Sequence, residues 1–225
     1  MEASEKYWIE EYTKRGALWI HDGNPKRPHA LLTSDKHSNG FFNSELVTQD
    51  ACLLDGASSA LVDALFTERE TLEDIDRVVG LAMGAITLAH DICRHIAEST
   101  FDREPCLRAY TEKKQATDGS TVMVFVKTRI IPGEDIVLCE DVLSTGKSVD
   151  ATAAAVTKAG GILLPYVLVL VNRSGLKEVS GKKIIALIDR PMPMWDPDEC
   201  PLCKEGSEAI RPKENENWAR LNAEY

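Results

Sequence analysis

The 225-residue chain is 44% apolar and 28% charged with a formal net charge of −10, the make-up of a folded globular domain rather than a disordered or fibrous one. That charge argues against non-specific nucleic-acid binding, which needs Lys and Arg to neutralise backbone phosphates. No apolar run reaches the ~18 residues of a membrane span, so no membrane partner is expected.

The start, MEASEKYWIEEY, lacks the basic-then-apolar pattern of a secretory leader. Six dispersed cysteines, several inside apolar runs such as IVLCEDV and AHDICRHI, read as small buried hydrophobes of a reducing compartment. The expected location is cytoplasmic.

In chain order, Tyr7, Trp8 and Tyr12 at helical spacing predict an amphipathic helix over 3–15. The Pro- and Gly-rich loop HDGNPKRPH leads to two strand-like pieces, ALLTS and FFNSELV, joined by the polar turn DKHSNG, and apolar residues at three- and four-residue steps predict a helix over 50–68. From Ile75 the pattern becomes alternating. DRVVGL is a strand and GAITLAHDICRHIAE a helix with Ile86, Ala89, Cys93 and Ile96 on one stripe. PCLRAY and TVMVFVK are strands flanking the polar, flexible TEKKQATDGS. DIVLCED is a buried strand, SVDATAAAVTKAGG a helix ending at Gly160, and ILLPYVLVLVN a further strand. Strands alternating with helices imply βαβ units, hence an α/β fold with a mainly parallel twisted sheet flanked by helices. The expected organisation is one overall domain: a small N-terminal hood over 1–74, the α/β core over 75–190, and a Pro-, Trp- and charge-rich tail over 191–225 packed on the core.

The segment EDVLSTGKS, Glu140 to Ser148, ends like a nucleotide P-loop, but that loop needs Gly five residues before Gly146, where this chain has Asp141. The better reading puts Glu140 and Asp141 at the carboxyl end of strand DIVLC. Ser144, Thr145, Gly146, Lys147 and Ser148 then turn into the next helix, where amides and hydroxyls bind a phosphate. Ionised carboxylates accept hydrogen bonds from a vicinal diol. Carboxylates beside a phosphate nest describe a site for a ribose 5-phosphate; the competing reading is an ordinary strand–turn–helix corner.

IVLCEDVLSTGKSV resembles the thirteen-residue signature of the type I phosphoribosyltransferases, and the resemblance, over most of the chain, is closest to the family's orotate phosphoribosyltransferases. It implies transfer of a 5-phosphoribosyl group from phosphoribosyl pyrophosphate to orotate, with Mg2+ as cofactor and a homodimer as the assembly. The alternatives are another base, such as a purine, or a non-catalytic regulator that binds phosphoribosyl pyrophosphate. VVGLAMGAITLAHDI resembles the family's pyrophosphate loop, with Ala82, Met83, Gly84 and Ala85 in the small-residue turn, where the resemblance also allows a non-proline cis peptide. RAYTEKKQATDGSTVMV resembles its mobile catalytic loop, and Lys113 and Lys114 are the candidate cations for the leaving pyrophosphate; exposed loop lysines are also commonly just solvated.

LLTSDKHSNGFFNSEL resembles the orotate enzymes' hood segment, which implies that Phe41 or Phe42 stacks on the base and that Lys36 approaches its charge; one core and one surface Phe on a strand is the plainer reading. Asp35 stands where the family commonly has Gly, and Leu81 where many members have Pro. VLVLVNRSG resembles the family's Val-x-Arg-x-Gly, which places Arg173 at a strand's carboxyl end, where it can pair with a carboxylate on the base. A surface ion pair with Glu178 or Asp189 competes with that role. Cys200-Pro-Leu-Cys203 supplies half of a tetrahedral zinc set. No second CxxC exists, and His21, His29 or His37 can complete the set only through the fold.

Overall fold

Residues 2–69, 71–100, 105–115 and 121–225 are described by a computed structural model. The chain divides into a core unit, residues 48–189, and a terminal unit that joins residues 1–47 to 190–225. The terminal unit opens with α1 (Glu2–Lys14), β1 (Leu18–Ile20), β2 (His29–Leu31), β3 (His37–Ser38), β4 (Gly40–Phe42) and the short α2 (Glu45–Thr48). The core unit follows with α3 (Ala51–Arg69), β5 (Arg77–Leu81), α4 (Ile86–Ser99), β6 (Leu107–Gln115), β7 (Thr121–Val124), β8 (Asp135–Leu143), α5 (Lys147–Lys158), β9 (Ile162–Asn172), β10 (Glu178–Val179) and β11 (Lys182–Asp189). The chain then re-enters the terminal unit with β12 (Met194–Trp195), a 3-10 turn at Pro197–Glu199, α6 (Pro201–Lys204), β13 (Ala209–Ile210) and α7 (Asn217–Asn222).

The core sheet has seven strands in the order β10-β11-β9-β8-β5-β6-β7. Its five central strands are parallel, and β10 and β7 close the edges antiparallel. Strands covered on both faces need apolar residues at successive positions. Arg77–Leu81 is accordingly buried throughout, and Ile136–Cys139 and Val167–Val171 form continuous buried runs. Helix α4 turns Leu88, Ala89, Ile92, Cys93 and Ile96 inward, and α5 turns Val149, Thr152, Ala153 and Val156. Each large apolar side chain so buried contributes roughly 1.5–3 kcal/mol. At the amino end of the sheet the Arg77 guanidinium meets Glu134 through two hydrogen bonds, 2.8 Å from Nε and 2.5 Å from Nη2.

The terminal unit holds a four-stranded sheet, β12-β3-β2-β13, and the β1–β4 pair. Three features depart from the expected elements. FFNSELV splits after Phe42, because the Asn43 and Ser44 carbonyls accept from Leu46 and Val47 and start the turn of α2. KKIIALID forms β11; it pairs parallel with β9 with no helix between them, so strand–helix alternation gives no cue to it. The helix over 51–69 belongs to the core unit rather than with the hood, and the tail adds β12 to β3 and β13 to β2.

Candidate active site

The sheet order reverses at β5. The chain runs β5–α4–β6 to one side, then returns to the other side for β8 and β9. Crevices at the carboxyl ends of strands beside such a switch point are where open α/β sheets bind ligands. Pairing between β5 and β8 stops at Gly80 and Cys139, whereas β8 stays paired with β9 as far as Leu143 and Asn172. Residues 140–143 thus overhang the end of β5, and the half-buried Glu140 and Asp141 sit on that overhang.

The turn 82–85 fills the gap that β5 leaves. It is held by the Ala82 amide donating to the Thr111 carbonyl at 3.1 Å and by the Ala85 amide donating to Leu81 at 3.2 Å. The Ala82–Met83 peptide is cis, as the resemblance allowed, and Met83 projects 83% exposed. Gly84 lies directly against the Asp141 carboxylate, and an added β-carbon would collide with it. Only glycine lets this turn and that carboxylate approach so closely.

The third part of the site is the entry to α5. Gly146 caps the helix at φ +78, a left-handed conformation that favours glycine, and Val179 leaves no room for a β-carbon there. Ser144, Thr145 and Ser148 are half-buried around this turn, and Lys147 points to solvent. The first-turn amides of this 12-residue helix carry the partial positive charge suited to a phosphate.

Burial, and then the adjacent Asp141 carboxylate, push the Glu140 carboxyl up to about 8, against the opposing pull of the Lys113 ammonium. Lys113 and Lys114, expected in a loop, extend strand β6 opposite Met123 and Val122 of β7 and are both exposed. Residues 116–120 of the expected catalytic loop lie outside the described residues. Arg173 follows β9 directly, with its amide donating to the Leu143 carbonyl at 3.0 Å. Its side chain is 2% exposed and so does not lie on the surface, and Asp189 pairs with Lys177 at 2.5 Å. Burial pulls the Arg173 guanidinium down to about 10, so it stays cationic at neutral pH.

The structure thus brings together residues 82–85, 140–141 and 144–148, with Arg173 at the neighbouring strand end. Lys36, Phe41 and Phe42 belong to the terminal unit. Phe42 is fully buried there, edge-on to Tyr12 with ring centroids 5.4 Å apart, so its ring is not a platform for a base. Phe41 packs against Trp218 at 5.8 Å, and Lys36 pairs with Asp196 at 3.0 Å. Asp35, the departure from the family pattern, pairs with Arg211 at 2.6 Å, so its charge is compensated. No local signal shows this, because the partner lies 176 positions away. Cys200 and Cys203 come together with His29 and His37, whereas His21 bonds the Arg27 carbonyl and the Gly23 amide.

A family model described as the phosphoribosyl transferase domain matches residues 53–194, which include the switch point, both turns and Arg173. The chain belongs to the phosphoribosyltransferase family. An orotate phosphoribosyltransferase of Heliobacterium modesticaldum is 34% identical to this phosphoribosyltransferase over 185 residues, 82% of this chain and 88% of that protein. One from a Sulfurovum species is 30% identical over 200 residues, 82% and 90% of the two chains. The crystal structure of orotate phosphoribosyltransferase from Aeropyrum pernix shares the fold, with a TM-score of 0.57 at 19% identity over 80% of this chain and 93% of that one. Among the described residues no helix of this phosphoribosyltransferase is long and apolar enough to cross a membrane.

Proposed function

We propose that this phosphoribosyltransferase moves the 5-phosphoribosyl group of phosphoribosyl pyrophosphate onto a ring nitrogen of orotate, releasing pyrophosphate and orotidine 5′-phosphate. The observation that carries the chemistry is the overhang of Glu140 and Asp141 between the small-residue turn 82–85 and the α5 N-terminus. The choice of base rests on the relatives named for orotate and on Arg173, a buried cation at the carboxyl end of β9 suited to a base that bears a carboxylate.

In this reading the amides and hydroxyls of 144–148 hold the 5-phosphate, while the Asp141 carboxylate and the carbonyl oxygen of the protonated Glu140 carboxyl accept the ribose hydroxyls. Positive charge grows on the sugar ring as its bond to pyrophosphate breaks, and the Asp141 carboxylate faces that charge. The amides of Met83 and Gly84 and the ammonium of Lys113 receive the departing negative charge. Preorganised charge of this kind supplies most of the rate enhancement, and no protein nucleophile is needed.

The site's donors are hard oxygens, and the one nearby thiol, Cys139, is fully buried with its ionisation suppressed by burial, a set that fits Mg2+. Carried by the substrate's own oxygens and flanked by Glu140 and Asp141, a bound Mg2+ would neutralise pyrophosphate charge. The cytoplasm as the place of the reaction rests on six free cysteines, and the homodimer rests on the family resemblance alone; sedimentation of the purified chain tests it.

The deciding experiment mixes the purified protein with Mg2+, phosphoribosyl pyrophosphate and orotate and follows loss of orotate absorbance and release of pyrophosphate, with uracil, adenine, guanine and xanthine in parallel. Consumption of orotate alone is expected. Turnover of another base would reassign the pocket, and binding without turnover on any base would remove the enzymatic reading.

A further inference from the structure

Four side chains from distant stretches of sequence meet inside the terminal unit: His29 on β2, His37 on β3, and Cys200 and Cys203 at either end of the first turn of α6. One ligating atom from each lies within 4.8 Å of all the others. His29 Nε2 is 3.0 Å from His37 Nδ1, 3.5 Å from Cys200 Sγ and 3.6 Å from Cys203 Sγ, and Cys203 Sγ is 3.2 Å from His37 Nδ1. A tetrahedral zinc ion, with bonds of about 2.0–2.1 Å to nitrogen and 2.3 Å to sulfur, holds its ligands about 3.3–3.8 Å apart. These four separations, 3.0–3.6 Å, lie near the edges of that tetrahedron. We propose that the terminal unit carries a structural zinc ion bound by His29, His37, Cys200 and Cys203.

The surroundings favour this over an incidental buried cluster. Ser207 Oγ donates to the Arg27 carbonyl at 2.6 Å, which uses its only proton, so at 2.8 Å it accepts from His29 Nδ1. That bond leaves the His29 Nε2 lone pair facing the other three groups, an outer-shell restraint characteristic of metal-bound imidazoles. His29 and Cys200 are fully buried and His37 nearly so. Two thiolates and two neutral imidazoles around a divalent cation sum to zero charge, which removes the cost of burying a net charge. Sulfur and imidazole donors in tetrahedral array select zinc over hard cations, and four protein ligands leave no open position for a substrate.

The ion would join a hairpin near the start of the chain to a turn 171 positions beyond His29. The apolar cluster it reinforces is small, formed by Trp19, Ala30, Leu32, Ile210 and Leu221, and small units commonly lean on a metal for stability.

The test needs no turnover and so stands apart from the transferase reading. Metal is measured by emission spectrometry in full-length protein purified without chelator, and reduced, chelator-stripped protein is then titrated with Zn2+ and Co2+. One zinc per chain is expected, with Co2+ giving thiolate charge-transfer bands and the intense visible absorption of a tetrahedral site. All four tryptophans, Trp8, Trp19, Trp195 and Trp218, lie in this unit, so their emission reports on it alone. It should shift on stripping and recover with Zn2+ but not with Mg2+. Cys200→Ser with Cys203→Ser should abolish uptake. Stripped wild-type protein that takes up neither metal, a double variant that keeps its zinc, stoichiometric iron in its place, or a Cys200–Cys203 disulfide in freshly isolated protein would each overturn the proposal.

Discussion

The Asp141 carboxylate occupies the space where a β-carbon on Gly84 would stand, with Oδ1 2.7 Å from that point and Cγ and Oδ2 nearer still. A methyl group at Gly84 must therefore displace either the 82–85 turn or the carboxylate. A displacement near 1 Å in a positioned site costs on the order of 100-fold in rate. Gly84→Ala should lower kcat/KM by about that factor while the melting curve stays close to wild type. Unchanged turnover would show that the placement of Asp141 against this turn is immaterial to catalysis.

Lys113 and Lys114 are neighbours on β6, so their side chains leave opposite faces of the strand. The charge of Lys113 is the one felt at Glu140. Lys113→Ala should cut kcat by about 100-fold or more, the scale of losing one charge-stabilising group, and Lys114→Ala should cost far less. Steady-state kinetics on both variants decides it, and equal losses would remove the distinction.

The raised carboxyl of Glu140 makes stability depend on pH in a definite direction. Below about pH 4 the group is neutral in both folded and unfolded chains. Above that, the unfolded chain releases the proton while the folded chain keeps it until about 8. Stability from this group is therefore full at low pH and is lost as pH rises through that window. Glu140→Gln, which stays neutral, should gain melting temperature relative to wild type between pH 5 and pH 9. A constant difference across that range would mean that the carboxyl is not raised.

Arg77 and Glu134 are both more than nine-tenths buried. Burial alone would raise the Glu134 carboxyl, yet its bonds from Arg77 and the Ile131 amide hold it below the usual range. Glu134→Ala would leave the guanidinium buried without its carboxylate, a loss of roughly 3–5 kcal/mol. Chemical denaturation should show that loss, whereas a paired replacement by Met and Leu should recover most of it. Wild-type stability in Glu134→Ala would mean that water reaches the pair.

The parts of the molecule legible from residue order were those whose cause is local. The run IVLC, the acids after it and the small residues of the next turn are fixed by strand burial, strand end and helix entry, each within a few positions. Gly84 was legible as a small residue at a turn, but not that its missing β-carbon makes room for Asp141, 57 positions on. Phe41 and Phe42 differ by one position, and only Tyr12 and Trp218 decide which ring is core and which is half-covered. Likewise CPLC announces two ligands, and its histidines come from a hairpin that no spacing rule connects to it.

The terminal unit is interrupted in sequence: the Trp19 indole donates to the Leu221 carbonyl across 202 positions, and β13 joins β2. On the ribosome its first strands therefore emerge long before their partners exist, while every strand of the core unit is made in one continuous stretch. The core should acquire its structure during synthesis, with the terminal unit closing only at release. Nascent chains truncated at residue 190 and held clear of the ribosome by a C-terminal linker should accordingly resist protease across β5–β9 and be cut around Trp19.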